Sequence, residues 1–140
     1  MVKQLIELYE QTNTFGNNLG MKLTVIQPGK IQYQLKITDD HLAIPKVAHG
    51  GVVATLVDGS LGVAGLSLVA SENKVVSTVE FKVNYLKPAR LGDDLTCSAE
   101  VVSSGKRILY IECEVINQDK QLIAKAGGTF NAYSAEKVFG

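Results

Sequence analysis

Apolar and polar residues alternate along most of the chain, and this period of two is typical of β-strands with one buried face. The clearest run covers residues 31–37, where the odd-numbered positions are apolar and the even-numbered positions are polar. A shorter run over 21–25 precedes it, across the sequence Gln27-Pro28-Gly29-Lys30. Because a Pro-Gly pair is a preferred turn, the two runs are predicted to form a β-hairpin.

Four later runs predict the rest of the sheet. They cover residues 78–85, 95–101, 109–115 and 122–130. In the first of them, Val79, Phe81, Val83 and Tyr85 alternate with polar residues that begin with Thr78. The connections between the runs are short and rich in turn-forming residues, which favours antiparallel neighbours. The pattern therefore predicts a sheet of six antiparallel strands.

Two segments have helical periodicity. Apolar residues at helical spacing over 2–12 predict a short amphipathic helix, which the polar stretch 11–20 ends. Residues 39–48 are predicted as a loop, and a helix from about Gly50 to Ala70 follows. Because this helix is too apolar to lie on a surface, the sheet must wrap it. A single sheet leaves one side of that helix open. A second copy of the protein is therefore expected to close this side and to pair an edge strand, in an α+β fold.

Composition narrows the classes of function. The 140 residues are 46% hydrophobic and 20% charged, which suits a soluble protein, and residues 1–140 are predicted to form a single domain. The chain has fourteen basic and fourteen acidic residues, so its formal net charge is zero. Without a basic excess, neither nucleic acid nor an anionic membrane is indicated as a partner.

The cysteines and histidines do not have the spacing of a zinc site. Cys97 and Cys113 lie in strand-like runs and can either pair or stay reduced and buried, of which the second is expected. The two histidines are His41 and His49. The N-terminal residues lack the apolar core of a signal peptide, and polar residues and glycines interrupt the apolar run 52–70, which makes it a poor membrane span. A cytoplasmic protein is expected.

One carboxylate, that of Asp58, interrupts the apolar central helix. A charge in an apolar wall costs free energy unless a partner stabilises it or a reaction requires it. Asp58 is therefore either a structural residue, with hydrogen bonds from backbone groups or the Thr55 hydroxyl, or a catalytic one. Gly59, Gly62 and Gly65 follow it, each at a cost of about 1 kcal/mol in a helix. They permit the close approach of either another backbone or a flat ligand.

The sequence His49-Gly50-Gly51 lies where the central helix begins. Free N–H groups at a helix N-terminus stabilise negative charge, and glycines let a carbonyl oxygen approach them without a side chain in the way. This arrangement is what an oxyanion hole requires. His49 alone is explained as a polar residue that holds the loop, but together with Asp58 on the same helix the segment indicates a hydrolytic site.

These residues resemble a known family. The run His49-Gly50-Gly51, with Asp58 nine positions after the histidine, resembles the active-site helix of hotdog-fold acyl-CoA thioesterases, in the phenylacetate-degradation branch that includes the mammalian thioesterase superfamily members. The segment "STVEFKVNYLKPARLGDDL" resembles the same branch, where a strand leads into a Tyr-x-x-Pro-Ala-x-x-Gly-Asp turn. The resemblance covers nearly the whole chain. It implies a hotdog fold and the hydrolysis of an acyl-CoA or aryl-CoA thioester to a carboxylic acid and coenzyme A.

The resemblance also implies roles for individual residues. Asp58 corresponds to the general base or nucleophile, and the Gly50 amide to the group that polarises the thioester carbonyl, with His49 lining the site. Thr78 corresponds to a hydroxyl residue that positions the attacking water. The site is shared, with the histidine-glycine loop from one subunit and the aspartate and hydroxyl from the other. Members of the family tend to form homotetramers built from two dimers, so both a homodimer and a homotetramer remain open.

One position departs from the family pattern. The branch carries an asparagine six residues before the histidine, where this chain has Ala43. Losing one oxyanion-hole donor costs about a hundredfold or more in rate. This leaves a non-hydrolytic acyl-CoA binding module as the alternative function. A hotdog dehydratase is disfavoured, because the His-Phe-Pro-Gly-type loop of such enzymes is absent from the sequence.

Coenzyme A, as part of the substrate, brings phosphates that need cationic partners. Four cationic residues at predicted strand ends are candidates for this contact, or else are ordinary solvated turn charges: Lys87, Arg90, Lys106 and Arg107. The sequence has no Walker loop and no dinucleotide fingerprint, so no separate cofactor is expected. Composition does not distinguish a long aliphatic acyl group from a flat aromatic one.

Overall fold

Six long strands form one antiparallel sheet in the computed structural model, which describes residues 2–139. The strands are β1 (Lys22–Gln27), β2 (Lys30–Lys36), β5 (Lys74–Tyr85), β6 (Asp94–Ser104), β7 (Ile108–Ile116) and β8 (Leu122–Ser134). Their order across the sheet is β1-β2-β6-β7-β8-β5. The predicted hairpin is confirmed, and the turn residue Gly29 has a φ of 86°, a left-handed value that favours glycine.

The predicted inward faces of the central strands are confirmed. The four apolar positions of the run over 31–37 are at most 3% exposed, and so are the four of the run over 109–115. These residues are Ile31, Tyr33, Leu35, Ile37, Leu109, Ile111, Cys113 and Val115. These side chains stand on one face of the sheet and pack against the central helix α3 (Gly50–Val69). Local periodicity predicts these faces because burial on one side is what a period of two encodes.

The central helix lies against β2, β5, β6, β7 and β8, as the apolar pattern predicts. A short 3-10 turn, Ala70–Glu72, continues it. By length and composition alone, Gly50–Glu72 is apolar enough to cross a membrane. Its most apolar stretch of 18 residues has a mean hydropathy of 1.8, but 61% of that stretch is buried inside the protein. Its apolar character is therefore accounted for by packing under the sheet. The fold is the α+β hotdog arrangement that the resemblance implies.

One stripe of the central helix is not covered by the sheet. The residues that are partly or fully exposed along it recur at helical spacing, and most are small or polar: Gly50, Gly51, Ala54, Thr55, Asp58, Gly59 and Gly62. We call these residues the open stripe. The sequence interpretation predicts an open side of the helix but does not assign its residues, because glycine and alanine do not mark a polar face. The candidate site residues of the helix lie on it.

Short elements occupy segments that the sequence pattern left irregular. The amphipathic helix is confirmed as α1 (Val2–Thr12), and the polar stretch after it forms a second short helix, α2 (Thr14–Leu19). The segment predicted as a loop instead holds a 3-10 turn, Asp39–His41, and a small two-stranded sheet of β3 (Leu42–Ile44) and β4 (Val47–Ala48). The chain ends on the short helix α4 (Glu136–Phe139). Apart from α1, these elements are too short to produce a readable period.

Strand β5 has one free edge and a bulge in its middle. It pairs with β8 on one side and stands at the end of the sheet. The pairing register shifts between Thr78 and Glu80, so Val79 is the extra residue and is 59% exposed. A bulge exchanges the two faces of a strand beyond it. The regular alternation predicted over 78–85 is therefore broken, and Thr78 points to the helix side although it begins as a polar position in that pattern.

The two cysteines lie on neighbouring strands inside the core and are both free. Cys97 is fully buried and Cys113 is 3% exposed. The hydrogen bond between the two thiols, together with burial, raises the pKa of Cys113 well above its usual range. The expectation of buried, reduced cysteines agrees with this environment, since a thiol with a raised pKa is a small apolar side chain at neutral pH.

Candidate active site

The carboxylate of Asp58 and the hydroxyl of Thr78 form a hydrogen-bonded pair. Thr78 Oγ1 donates to Asp58 Oδ1 at 2.7 Å, from strand β5 to helix α3. The Thr55 hydroxyl donates to the Gly51 carbonyl oxygen at 2.8 Å instead, so the structural interpretation that paired Thr55 with Asp58 is wrong. Asp58 is partly exposed and Thr78 is exposed in the single chain. The pair can therefore reach a ligand that lies on the open stripe.

Two cavities meet at Asp58. The first, of about 280 Å³, is mostly apolar and runs under β5; we call it the apolar cavity. Its walls include Leu5, Gly62, Val63, Leu66, Val75, Phe130 and Val138. The second, of about 250 Å³, has a mixed wall and is called the mixed cavity. Its walls include Asn13, Phe15, Gly16, Met21, Thr55 and Phe81. Asp58, Gly59 and Tyr9 line both cavities.

The start of the central helix presents one uncapped amide. His49 is the N-cap residue, and its Nδ1 accepts the Gly51 N–H at 2.7 Å. The next amide, that of Val52, donates to the His49 carbonyl oxygen at 3.0 Å. Within the described residues, the Gly50 amide has no acceptor, as expected for the first residue of a helix. His49 thus saturates the neighbouring donor and leaves the Gly50 N–H as the group available to an oxyanion.

Backbone hydrogen bonds from two other segments hold the histidine-glycine loop. The His49 amide donates to the His41 carbonyl oxygen at 2.8 Å, and the Ala48 amide donates to the Ala89 carbonyl oxygen at 2.8 Å. The Lys-Pro-Ala-Arg turn of the second family motif is therefore hydrogen-bonded, through its backbone, to the loop that carries the first motif. Its Ala89 is 4% exposed, so a larger residue does not fit there without displacing the loop.

His41 was missed as a site residue by sequence reasoning. It is 4% exposed, and its Nδ1 accepts the Thr38 N–H at 3.0 Å, which fixes the 3-10 turn beneath His49. The sequence feature that could have identified His41 is its position three residues after Thr38, which is the spacing of a capping box. Its contact with the site passes through its backbone carbonyl, so His41 positions the loop.

Tyr85 was also missed. Its hydroxyl donates to the Gly50 carbonyl oxygen at 2.9 Å, and its ring lies 3.6 Å from the position a Gly50 Cβ would take. The tyrosine is the first residue of the Tyr-x-x-Pro motif, and its place at the end of β5 brings it beside the helix start. It orients the residue whose amide is the candidate oxyanion donor. No side-chain donor stands at Ala43, which is exposed on β3.

The predicted site residues fall into two groups, one at the N-terminus of α3 and one where the middle of α3 meets β5. Asp58 and Thr78 form the first group, and His49 and Gly50 form the second. Eight residues separate Gly50 from Asp58 along the helix, which corresponds to about 12 Å at 1.5 Å per residue. A single thioester carbonyl does not span that distance. One chain therefore holds the two groups apart, and we call them the two candidate half-sites.

The four candidate phosphate contacts also separate into two pairs. Lys87 lines a third cavity, of about 220 Å³, together with Gly50 and Tyr85, and Arg90 lies in the same connection after β5. Lys106 and Arg107 lie in the turn before β7, and the Lys106 carbonyl oxygen accepts the Nζ of Lys74, the first residue of β5. The two pairs therefore lie at opposite ends of a strand that is about 40 Å long.

The helix glycines divide between ligand space and packing. Gly59 and Gly62 line the apolar cavity. A Cβ on Gly65 would instead stand 3.0 Å from Ile111 Cδ1, so Gly65 allows close packing against the sheet. Packing against the sheet thus accounts for Gly65, and the approach of a ligand to Gly59 and Gly62 stays a prediction. Among residues 2–139, no group of three His, Cys, Asp or Glu side chains lies close enough together to hold a metal ion.

Comparison with known proteins gives one consistent family. Residues 46–124, more than half of the chain, match the thioesterase superfamily. The chain is 28% identical over 120 residues to human acyl-coenzyme A thioesterase 13, and the match covers 84% of this chain and 83% of the human protein. Among solved structures, it is similar to a hypothetical thioesterase protein of Streptococcus pneumoniae with coenzyme A, at a TM-score of 0.75 and 26% identity over 82% of this chain and 90% of that one.

The fold likeness extends further than the sequence likeness. The Escherichia coli PaaI protein from the phenylacetic acid degradation operon has a TM-score of 0.85 at 20% identity, over 95% of this chain and 94% of that chain. At that identity the likeness shows the fold alone. Together with the family match, it confirms the resemblance read from the two sequence motifs. The chain belongs to the thioesterase superfamily and is a thioester hydrolase of the hotdog fold.

Proposed function

We propose that the protein hydrolyses acyl-CoA thioesters to a carboxylic acid and coenzyme A, at a site shared by two copies of the chain. The observation that carries this is the Thr78–Asp58 pair, 2.7 Å apart at the mouth of an apolar cavity. The same helix begins with an uncapped Gly50 amide. A base, an oxyanion donor and an acyl pocket are the parts that acyl transfer requires.

The proposed reaction uses each part once. The Gly50 N–H donates to the thioester oxygen, and Asp58 takes a proton from a water held by Thr78. The hydroxide adds to the carbonyl carbon and gives a tetrahedral oxyanion. The C–S bond then breaks, and the thiolate of coenzyme A takes the proton back from Asp58. In the alternative route, the Asp58 carboxylate attacks the carbonyl carbon directly, the C–S bond breaks and the thiolate of coenzyme A leaves, which gives an anhydride. Water then opens the anhydride to the carboxylic acid and the free aspartate, and the proton released from the water goes to the thiolate.

The geometry of one chain supports a two-fold pairing. Gly50 lies beside Tyr85, and Asp58 lies beside Thr78, so α3 and β5 run antiparallel to each other. A two-fold axis that brings Gly50 to the partner subunit's Asp58 therefore also brings Tyr85 to the partner subunit's Thr78. This places the two free β5 edges side by side, where they can pair. The two half-sites then complete each other twice in a dimer.

The same axis explains why the four cations lie so far apart in one chain. Antiparallel pairing of the β5 strands places the start of one strand against the end of the other. The Lys106–Arg107 turn of the partner subunit then approaches Lys87 and Arg90. We propose that these residues contact the phosphates of coenzyme A from both subunits. The human relative named acyl-coenzyme A thioesterase 13 and the Streptococcus pneumoniae structure with coenzyme A support this choice of substrate.

A panel of thioesters tests the proposal. The purified protein is incubated with aliphatic and aromatic acyl-CoA esters, and free thiol is measured with a chromogenic disulfide. Release of thiol with saturation kinetics is expected for part of the panel. The alternative, a non-hydrolytic binding module, is favoured by the alanine at position 43. Tight binding of several esters by calorimetry, with no thiol release from any of them, would establish that alternative.

Isotope labelling separates the two chemical routes. A single turnover in ¹⁸O-labelled water is followed by mass spectrometry of the acid and of the peptide that contains Asp58. General-base catalysis places the label in the acid alone, so label in the aspartate excludes this route. Attack by Asp58 places it in the aspartate when water opens the anhydride at that carbonyl.

A further inference from the structure

Tyr9 stands between the two cavities that meet at the catalytic carboxylate. It lines both of them, together with Asp58 and Gly59. One helical turn before it, Leu5 lines the apolar cavity, and one turn after it, Asn13 lines the mixed cavity. Residues four apart lie on the same side of a helix, so the boundary between the two cavities falls at Tyr9.

The side chain of Tyr9 is held in this place. Its hydroxyl oxygen accepts the Asn13 Nδ2 at 3.1 Å, and the ring packs against the main core. Burial raises the pKa of Tyr9. The nearby Asp58 charge raises this pKa further, and a hydrogen bond from Tyr33 lowers it in part. The Tyr9 hydroxyl therefore stays protonated at neutral pH. The same burial raises the pKa of Tyr33. The neutral Tyr9 ring, anchored in this way, forms a fixed wall between the two cavities.

The apolar cavity has a volume of about 280 Å³ and follows the central helix. Its helix wall runs from Asp58 through Gly62 to Leu66, two turns along α3, or about 12 Å. Leu5 and Val138 stand on the two terminal helices that also line it. The mixed cavity also reaches the carboxylate, so it offers space to an acyl group longer or broader than the apolar cavity. Tyr9 lies on the path to it.

We propose that Tyr9 sets the size limit for the acyl group, by separating the apolar cavity from the mixed cavity beside Asp58. This rests on the proposed function, because it assigns the apolar cavity to the acyl chain. Without the ring, the two spaces of about 280 Å³ and 250 Å³ become one and admit longer chains. The specificity of this protein is then determined by a side chain of the N-terminal helix, which is not part of the family motifs.

The test compares chain-length profiles of variants. Tyr9→Ala removes the wall, Tyr9→Phe keeps the ring and removes the hydroxyl, and Glu7→Ala is the matched control on the exposed side of the same helix. The ratio kcat/KM is measured from butanoyl-CoA to hexadecanoyl-CoA. In Tyr9→Ala the preference for long over short chains is expected to rise by about tenfold or more, since each methylene in an apolar pocket is worth that order. Tyr9→Phe and Glu7→Ala are expected to keep the original profile.

A uniform change for every ester in Tyr9→Ala, with the profile unaltered, overturns this assignment of Tyr9. If Tyr9→Ala does not fold, as judged by circular dichroism and gel filtration, Tyr9→Leu removes the ring and keeps an apolar side chain. If the unaltered protein releases no thiol from any ester, the proposed hydrolysis fails by itself. The Tyr9 assignment is then decided by the dissociation constants of S-alkyl-CoA thioethers of increasing length, for which the same shift in Tyr9→Ala is expected.

Discussion

The hydroxyl of Thr78 lies 2.7 Å from Oδ1 of Asp58, although the strand pattern groups Thr78 with outward-facing polar residues. The bulge at Val79 accounts for this, because it exchanges the two faces of β5 immediately after the threonine. Bulges are frequent beside active sites, where they redirect a side chain. The contact therefore depends on one extra residue in a strand pairing.

Asp58→Asn is expected to lower kcat by about 10²–10⁴-fold, the contribution of a positioned acid or base. The amide oxygen can still accept the Thr78 hydroxyl, so folding and assembly are expected to stay as they are. Thiol release, melting temperature and gel filtration are measured together. Asp119→Asn, at an exposed turn, is the control and should be fully active. An Asp58→Asn variant with most of its activity would show that the carboxylate is structural.

Thr78→Ala is expected to reduce kcat by about 10- to 150-fold, because it removes one hydrogen bond to a charged group, worth about 1.5–3 kcal/mol. The loss is smaller than that of Asp58→Asn, since the base itself remains. Thr78→Ser keeps the hydroxyl and should recover most of the rate. If Thr78→Ser and Thr78→Ala are equally impaired, the methyl group matters and the hydroxyl does not.

Gly50→Pro removes the candidate oxyanion donor without opposing the local backbone. Proline is favoured at the first position of a helix, and His49 before it has φ −63° and ψ 135°, which a residue before proline adopts readily. We expect kcat to fall by about 10²–10³-fold. Gly50→Ala is the matched control, because it keeps the N–H and its Cβ would be at an ordinary 3.6 Å from Tyr85.

Mixing the two inactive variants tests the shared site. In a dimer of one Gly50→Pro chain and one Asp58→Asn chain, one of the two sites has both its residues intact. After co-refolding in equal amounts, half of the dimers are mixed, so about a quarter of the original activity should return. A mixture that stays inactive, although gel filtration and mass spectrometry show mixed dimers, would contradict a site built from two chains.

Tyr85→Phe removes the hydrogen bond to the Gly50 carbonyl oxygen and keeps the ring. A neutral hydrogen bond is worth about 0.5–1.5 kcal/mol, so kcat is expected to fall by about two- to tenfold with little change in KM. Tyr110→Phe, on the outer face of the sheet, is the control for loss of a tyrosine hydroxyl. An unchanged kcat in Tyr85→Phe would indicate that the helix alone orients Gly50.

Two glycines on one helix are expected to respond oppositely to alanine. Gly65→Ala should lower the melting temperature, since overpacking against Ile111 costs about 1–3 kcal/mol and outweighs the gain in helix propensity of about 1 kcal/mol. Gly59→Ala meets the flexible end of Met21 at 3.0 Å, so it should be neutral or stabilising, but it narrows both cavities and should reduce the rate for bulky esters. Equal stability and equal ester profiles in the two variants would contradict this division.

The sequence by itself determined most of the secondary structure and indicated the candidate residues of the two half-sites. The strand faces over 31–37 and 109–115, the helix over 2–12 and the central helix follow from local periodicity, because burial on one side imposes a period that neighbouring residues carry. Asp58 and the His49-Gly50 pair were identifiable since charge and glycine are unusual in an apolar helix. The short elements between residues 39 and 48 were not, because they have too few residues for a period.

Only the tertiary structure decided how these parts meet. The open stripe exists because the sheet covers one side of α3, and coverage is not a property of the helix sequence. Tyr85 reaches Gly50 and Tyr9 separates the two cavities through contacts between elements that lie far apart in the chain. Periodicity records which side of a segment is buried. It does not record which other segment covers that side, and the chemistry of this site depends on which segments meet.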